Sequence, residues 1–304
     1  YPSCKTKNRV KSQIENCCHL LAKLYTEDCF MALKIHHLNC GTMCPHGAPF
    51  INGYGKITDN GHMVCHCLLI ESNDGLVLVD TGFGIADVKN PNQRLGHAFV
   101  AGVRPVADYR ETAYMQIKEL GFNPQDVRHI LVTHLDLDHA GGLSDFPEAK
   151  VHIFAPEFEA AMNPNWRETQ RYKQNQWAHG VNWVTYQTQG EKWQGFDSIR
   201  AIPELQDEIL LVPLVGHTRG HSGIAVNTQD GWLLHCGDAY FHHDQMNANP
   251  SCPIGLEMFQ RGLAINNKDR AHNLQRLQHL AHSTKAEDVQ LFSAHDPVEL
   301  ARYQ

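Results

Sequence analysis

The sequence has no run of ~18–20 unbroken apolar residues, so no stretch of it reads as a membrane-spanning helix. It has no Gly-x-Ser-x-Gly elbow and no Gly-rich phosphate loop, which sets aside serine-hydrolase and nucleotide-binding readings. It has no basic excess: 26 Lys and Arg stand against 33 Asp and Glu, a formal net charge of -7. A general nucleic-acid binder would need a basic stripe. It also has no linker and no low-complexity tract. Past residue 30 it has no Cys-x-x-Cys pair. Cys40-Gly-Thr-Met-Cys44 and Cys65-His-Cys67 instead read as free, mostly buried thiols, which fits a reducing compartment and an expected cytoplasmic location. What is present is a chain of 304 residues, 42% hydrophobic and 19% charged, with 21 His. That size and composition suit one large α/β domain or two small ones.

Residues 1–30 differ from the rest. They hold four of the ten cysteines (Cys4, Cys17, Cys18 and Cys29) and carry a net +2, leaving -9 for the remainder. They lack a clear apolar period and make a poor secretory signal. The expectation is a non-native or disordered extension over 1–30, a natural start at Met31 and a single catalytic domain over 31–304. The competing reading is an N-terminal helix with Ile14, Cys18, Leu21 and Leu24 on one face.

Apolar runs and turn signals give the outline. Met31 to Leu38 is strand-like. Val64 to Ile70 and Leu76 to Val79 flank a polar turn and read as a hairpin. Residues 83–106 read as loop, and Ala107 to Leu120 as a helix stopped by Gly121. His129 to Thr133 and Val151 to Phe154 are short strands, and 156–180 is helical and aromatic. Ile209 to Val212 is a strand, and Ile224 to Val226 pairs with Trp232 to His235 across Asp230-Gly231. Asn266 to His282 is a helix and Leu291 to Ala294 a last strand. The two similar halves predict two packed sheets flanked by helices.

The chemistry gathers where strands stop. His134-x-Asp136-x-Asp138-His139 puts four ligand-type side chains into six residues after a strand. Imidazole and carboxylate are the donors that zinc, iron or manganese accept. Without a cation, such groups would repel and be costly to desolvate. His217 and His221 lie in a Gly-rich turn after another strand, Asp238 ends a third and His295 the last.

These landmarks, with Asp80-Thr-Gly82, Gly216-His-Thr-Arg-Gly-His221 and Gly237-Asp238, resemble the metallo-β-lactamase superfamily over Met31 to Gln304. Within it the chain looks most like the N-acyl homoserine lactone lactonases, on the Ala140-Gly-Gly142 and Gly237-Asp-Ala-Tyr240 segments. The resemblance implies an αββα four-layer sandwich, an α/β fold with its metal site at the sheet edge. It implies two divalent transition metal ions, zinc first, with iron or manganese as alternatives. His134, Asp136 and His217 would hold one ion. Asp138, His139 and His295 would hold the other, and Asp238 would bridge. A hydroxide between the ions would open a lactone or related ester, with Asp138 orienting it and Tyr240 as a second catalytic candidate. Asp80 would hydrogen-bond ligand imidazoles, and His221 would shape its loop. The implied partner is a small-molecule ester or lactone, not nucleic acid or membrane; a homodimer stays open.

Three residues depart from the family pattern. Asp136 stands where the motif usually has a second His, which adds negative charge and harder oxygen character. On the sequence alone, Asp136→His is therefore expected to raise zinc occupancy. Arg219 stands where many relatives have Pro, and reads as stiffening its loop. Tyr240 falls two residues after Asp238 where lactonases place a Tyr three after, an offset held here by Phe241. His36-His37 and His242-His243 read as structural, because adjacent strand residues point opposite ways. Phe83, Phe99, Trp166 and Trp177 divide between core and an acyl pocket. The rival activities on one such site are arylesterase, phosphotriesterase and β-lactamase. A more distant rival is an iron-dependent redox or sulfur enzyme.

Overall fold

Strands that are apolar at every position have both faces buried, and this chain has two sets of them. The computed structural model describes residues 33–203, 205, 209–283 and 288–304. The extension expected over 1–30, with Met31 and Ala32, lies outside the described residues. Leu33–Gln304 form one compact unit.

The first sheet has six strands in sequence order: β1 (Lys34–Met43), β2 (Met63–Ser72), β3 (Gly75–Val79), β4 (Val127–Leu131), β5 (Lys150–Phe154) and β6 (Asn182–Tyr186). β1, β2 and β3 pair antiparallel; β3 to β6 are parallel. A hairpin, β7 (Lys192–Trp193) and β8 (Phe196–Asp197), precedes the second sheet. That sheet comprises β9 (Ile199–Ala201), β10 (Ile209–Pro213), β11 (Ser222–Thr228), β12 (Gly231–His235) and β13 (Val289–Phe292), in the order β13-β12-β11-β10-β9.

Alternation along each strand sorts side chains between layers. On β2 and β3, Leu68, Ile70, Val77 and Val79 point to the core between the sheets, where they meet Ile209, Leu211, Ile224, Val226 and Phe292. The alternate residues Cys65, Cys67, Leu69, Leu76 and Leu78 pack outward with Ile117 and Ala160 of the helices Ala113–Glu119 and Ala155–Met162. In the second sheet, Leu210, Val212, Ala225 and Leu234 face Leu277 and Leu280 of the helix Asn267–Ala281. The order is helix, sheet, sheet, helix, the expected αββα sandwich. Cys40, Cys65, Cys67 and Cys236 are buried free thiols, and Cys44 and Cys252 are free and half-buried.

The sequence outline needs correction in three places. Residues 83–106 are not loop but three short helices, Ile85–Lys89, Pro91–Arg94 and His97–Val103; Gly84, Asn90 and Gly96 stand at their N-caps. The 156–180 helix ends at Met162, one residue before Asn163-Pro164, and short 3-10 turns follow. The strands β6 to β9 and the helix Ile254–Leu263 went unread.

The sheets are stitched together at one end. Ser222 N–H donates to the Thr133 carbonyl at 2.9 Å and His66 N–H to the Ala294 carbonyl at 2.8 Å, each crossing between the sheets, while Ala294 N–H to Gly237 at 3.1 Å ties β13 to β12 at the same end. β3, β4, β12 and β13 all finish there, so the polar residues that follow them converge.

Gly141 shows how tight this end is. A Cβ on Gly141 would overlap Asp87 Oδ2 and lie 2.6 Å from the Gly82 carbonyl oxygen, whereas a Cβ on Gly102 meets nothing within 4 Å. Gly141→Ala should therefore cost about 1–3 kcal/mol of stability. Gly102→Ala, inside a helix, should gain up to about 1 kcal/mol. Denaturant midpoints of the two variants would check this, and coincident midpoints would contradict it.

Candidate metal centre

Asp80 organises the site from behind. It follows β3 in a left-handed conformation, φ 54°. Its Oδ1 accepts the Thr133 N–H at 2.8 Å, and its Oδ2 accepts the Thr133 hydroxyl and His139 Nδ1–H, both at 2.8 Å. Having donated its proton to Asp80, Thr133 Oγ1 accepts from His134 Nδ1–H at 2.9 Å. His295 Nδ1–H donates to the Val64 carbonyl at 2.8 Å. All three imidazoles thus donate from Nδ1 and turn Nε2, the atom a cation would take, inward. His221 is fixed the same way: Nδ1–H donates to the Leu214 carbonyl at 3.0 Å, and Nε2 accepts the Asp238 backbone N–H at 2.9 Å. It shapes the loop that presents Asp238, as expected.

The inward atoms form two adjoining donor sets. Asp136 Oδ2 lies 3.0 Å from His217 Nε2 and 3.4 Å from His134 Nε2. Asp238 Oδ2 lies 3.3 Å and 3.6 Å from the same two atoms. Its other oxygen, Oδ1, lies 3.2 Å from His139 Nε2 and 3.1 Å from His295 Nε2. Asp138 stands beside these, its Oδ2 3.6 Å from His295 Nε2. One carboxylate therefore offers an oxygen to each set. The Cys65 thiol adjoins Asp138 and His295, with all three ligand atoms inside 4.8 Å.

A pair of cations fits this arrangement. His134 Nε2, His139 Nε2 and Asp238 Oδ1 are buried and make no hydrogen bond among the described residues. Atoms about 3–4 Å apart, all aimed inward, suit ions bonded at about 2.0–2.2 Å. The charges show the same demand. Burial raises the Asp238 carboxyl, but His295, His139, His134 and His217 outweigh it and hold the group well below the usual range. Burial pushes His139 down, but Asp238, Asp80 and Asp138 together raise it well above an ordinary imidazole. His295 is likewise raised, mainly by Asp238 against its burial. His217 goes the other way, to about 4, through burial and the neighbouring Arg171.

The structure brings all seven expected ligand residues together. Tyr240 does not join them, a correction to its catalytic reading. It is fully buried in the outer core of the second sheet, and its hydroxyl donates to the Glu299 carboxylate at 2.9 Å. Phe241 takes the place facing the ligands, its ring 4.9 Å from that of His295 and 6.2 Å from that of His217. Phe83 and Trp177 belong to the core, while Trp166 is 83% exposed. His36 and His37 do point opposite ways, to Glu71 and to His66. His242 and His243 instead stack, centroids 4.3 Å apart, at the start of a 3-10 turn.

Two residues escaped the sequence reading. Glu157, fully buried, accepts from Leu135 N–H, the Tyr172 hydroxyl, the Thr218 hydroxyl and Gly220 N–H. It locks the His134–His139 loop to the His217–His221 loop. Arg171 places Nε 3.0 Å from Asp136 Oδ1. The extra carboxylate at 136 was the available signal, since a buried anion calls for a cation. Arg219 stiffens its loop by pairing with Glu168 at 2.7 Å.

An αββα sandwich with such a buried cluster at its edge defines a metal-dependent hydrolase. The family model of the metallo-beta-lactamase superfamily matches residues 60–284, and the chain belongs to that superfamily. It is 42% identical over 273 residues, 89% of this chain and 83% of the other, to a Mycobacterium tuberculosis protein named "Probable metallo-hydrolase". It is 26% identical over 242 residues, 78% of this chain and 83% of the other, to the N-acyl homoserine lactonase AttM of Rhizobium johnstonii. Among solved structures it resembles a B. thuringiensis AiiA variant with N-decanoyl-L-homoserine at its active site. That match has a TM-score of 0.67 and 19% identity, covering 90% of this chain and 98% of the other.

Proton release should separate the two donor sets. The set of His139 and His295 holds protons to higher pH than a free imidazole. His217, at about 4, has already lost its own at neutral pH. Cation binding must displace the protons of the first pair. As pH falls, the His139–His295 set should lose affinity at a higher pH than the other set, and binding there should release more protons. Calorimetric titration in buffers of different ionisation enthalpy would measure this; equal release from both steps would contradict it.

Proposed function

We propose that this protein opens a lactone or closely related ester at a dinuclear metal centre, with zinc the first choice of ion. His134, Asp136 and His217 would hold one cation, Asp138, His139 and His295 the other, and Asp238 both. Two such cations supply a strong nucleophile from water at neutral pH and polarise the ester carbonyl. The observation that carries this reading is Asp238, whose two oxygens each face a separate donor set across 3.1–3.6 Å.

The chain's own residues do the rest. Asp138 is only slightly exposed and accepts no hydrogen bond from a protein donor among the described residues. That leaves its carboxylate free to orient the nucleophile and carry a proton to the departing oxygen. Phe241 covers one side of the cluster and excludes water. Its ring meets Phe259 of the helix Ile254–Leu263 at 5.9 Å. That helix exposes Ile254, Met258, Phe259 and Leu263, an apolar face beside the centre that suits an acyl chain. Similarity to N-acyl homoserine lactonases over 78% of the chain supports the same choice.

His134→Ala and Asp238→Ala should abolish lactone turnover while far-UV circular dichroism stays unchanged. Met258→Glu should raise KM for long-chain acyl lactones well above its effect on short ones. Aryl ester and phosphotriester turnover, measured on the same protein, should be slower. An active Asp238→Ala enzyme would overturn the dinuclear mechanism. A phosphotriester preference would overturn the lactone.

A further inference from the structure

Asp136 is the residue by which this site departs from the motif it resembles, and its surroundings show how the departure is accommodated. The carboxylate is divided between two tasks. Oδ2 faces His217 Nε2 and His134 Nε2. Oδ1 lies 3.0 Å from Arg171 Nε, an ion pair rather than an aligned hydrogen bond, and the Arg171 side chain is only 8% exposed. The same guanidinium donates through Nη1 to the His217 carbonyl at 2.7 Å and through Nη2 to the Leu263 carbonyl at 3.1 Å. The neighbouring Tyr172 is tied to Glu157 at 2.9 Å. Arg171 is thus held on three sides, in contact with one ligand's carboxylate and another ligand's backbone.

We infer that Arg171 and Asp136 act as one charge-neutral ligand unit: the guanidinium, ion-paired with Asp136 Oδ1, cancels the carboxylate's charge, so that the cation it shares with His134 and His217 stays strongly polarising. The inference rests on the metal-centre reading and concerns this chain's own substitution within it. A carboxylate stabilises a cation more than a neutral imidazole does, and by doing so blunts the cation's pull on a bound group. A positive charge beside the carboxylate opposes both effects, strongly in a site with little water. Arg171 is a positioning residue in this scheme, since it acts through Asp136 and His217.

The inference revises the expectation for Asp136→His. An imidazole at 136 would sit against an unpaired buried guanidinium, so the single substitution should lower zinc occupancy at that position. The double variant Asp136→His/Arg171→Gln removes both charges together and should restore it.

Removing only the cation has a less intuitive result. In Arg171→Gln, the charge of Asp136 is no longer offset by a neighbouring cation. The metal-loaded protein should release its ion from this position to a chelator more slowly, on the order of tenfold. The acid limb of its turnover profile should move to higher pH. A role confined to supporting the loop would predict the reverse, a faster loss of metal. Arg171→Lys retains the charge and should keep wild-type release kinetics and pH profile.

The experiment measures zinc content by elemental analysis and release to a chelator for the wild type, the three single variants and the double variant. Thermal unfolding establishes that each is folded. Slower release in Arg171→Gln, wild-type release in Arg171→Lys and recovery of zinc in the double variant are the expected results. Faster release in a folded Arg171→Gln would overturn the inference. So would Arg171→Lys behaving like Arg171→Gln, or a double variant no better than Asp136→His. Wild-type protein that binds fewer than two ions would instead overturn the centre itself, and this role with it.

Discussion

A carboxylate taken out of water must find donors or cations, and that demand shapes this end of the molecule. Asp80 recruits a backbone N–H, a hydroxyl and an imidazole. Glu157 recruits four donors from three separate segments. Tyr172 apart, the partners lie on loops that carry candidate ligands. The buried acids therefore work as struts: satisfying their oxygens fixes where the imidazoles point. Hydrophobic burial holds sheet to sheet, but it has no directional content. The angular precision of the cluster comes from these polar contacts.

The acids also divide by duty. Asp80 and Glu157 are saturated with protein donors and lie behind the ligand residues. Asp238 and Asp136 keep oxygens turned towards the imidazole Nε2 atoms. Burial alone does not separate the groups, since all four are buried. The separation lies in the donors each oxygen already has. Asp136 is intermediate, with one oxygen in an ion pair with Arg171 and one turned towards His217.

The two sheets were legible in the sequence because strands buried on both faces leave long apolar runs. The ligand set was legible because its residues follow those runs directly. Glu157 and Arg171 were not, since each sits in a segment whose polar side chains look like surface. Glu157 starts the helix Ala155–Met162, and Arg171 closes a 3-10 turn. The Tyr240 offset failed for a geometric reason. Gly237–Ala239 is a 3-10 turn, in which each residue swings about 120° from the last. Counting residues past Asp238 therefore does not say which ring meets the cluster. The helix Ile254–Leu263 was missed because, Leu256 apart, its large apolar residues are exposed, against the usual sense of amphipathicity.

The stitching of the two sheets bears on the integrity of the candidate centre. His134, Asp136, Asp138 and His139 follow β4 of the first sheet, whereas His217, Asp238 and His295 belong to the second. Neither half of the chain owns a complete donor set. The strand that leads to His295 follows both the first sheet and the rest of the second in the chain. A complete donor set therefore exists only where the two sheets have docked. The topology thus makes the candidate centre a reporter of the docked state: separating the sheets would divide its donors between them.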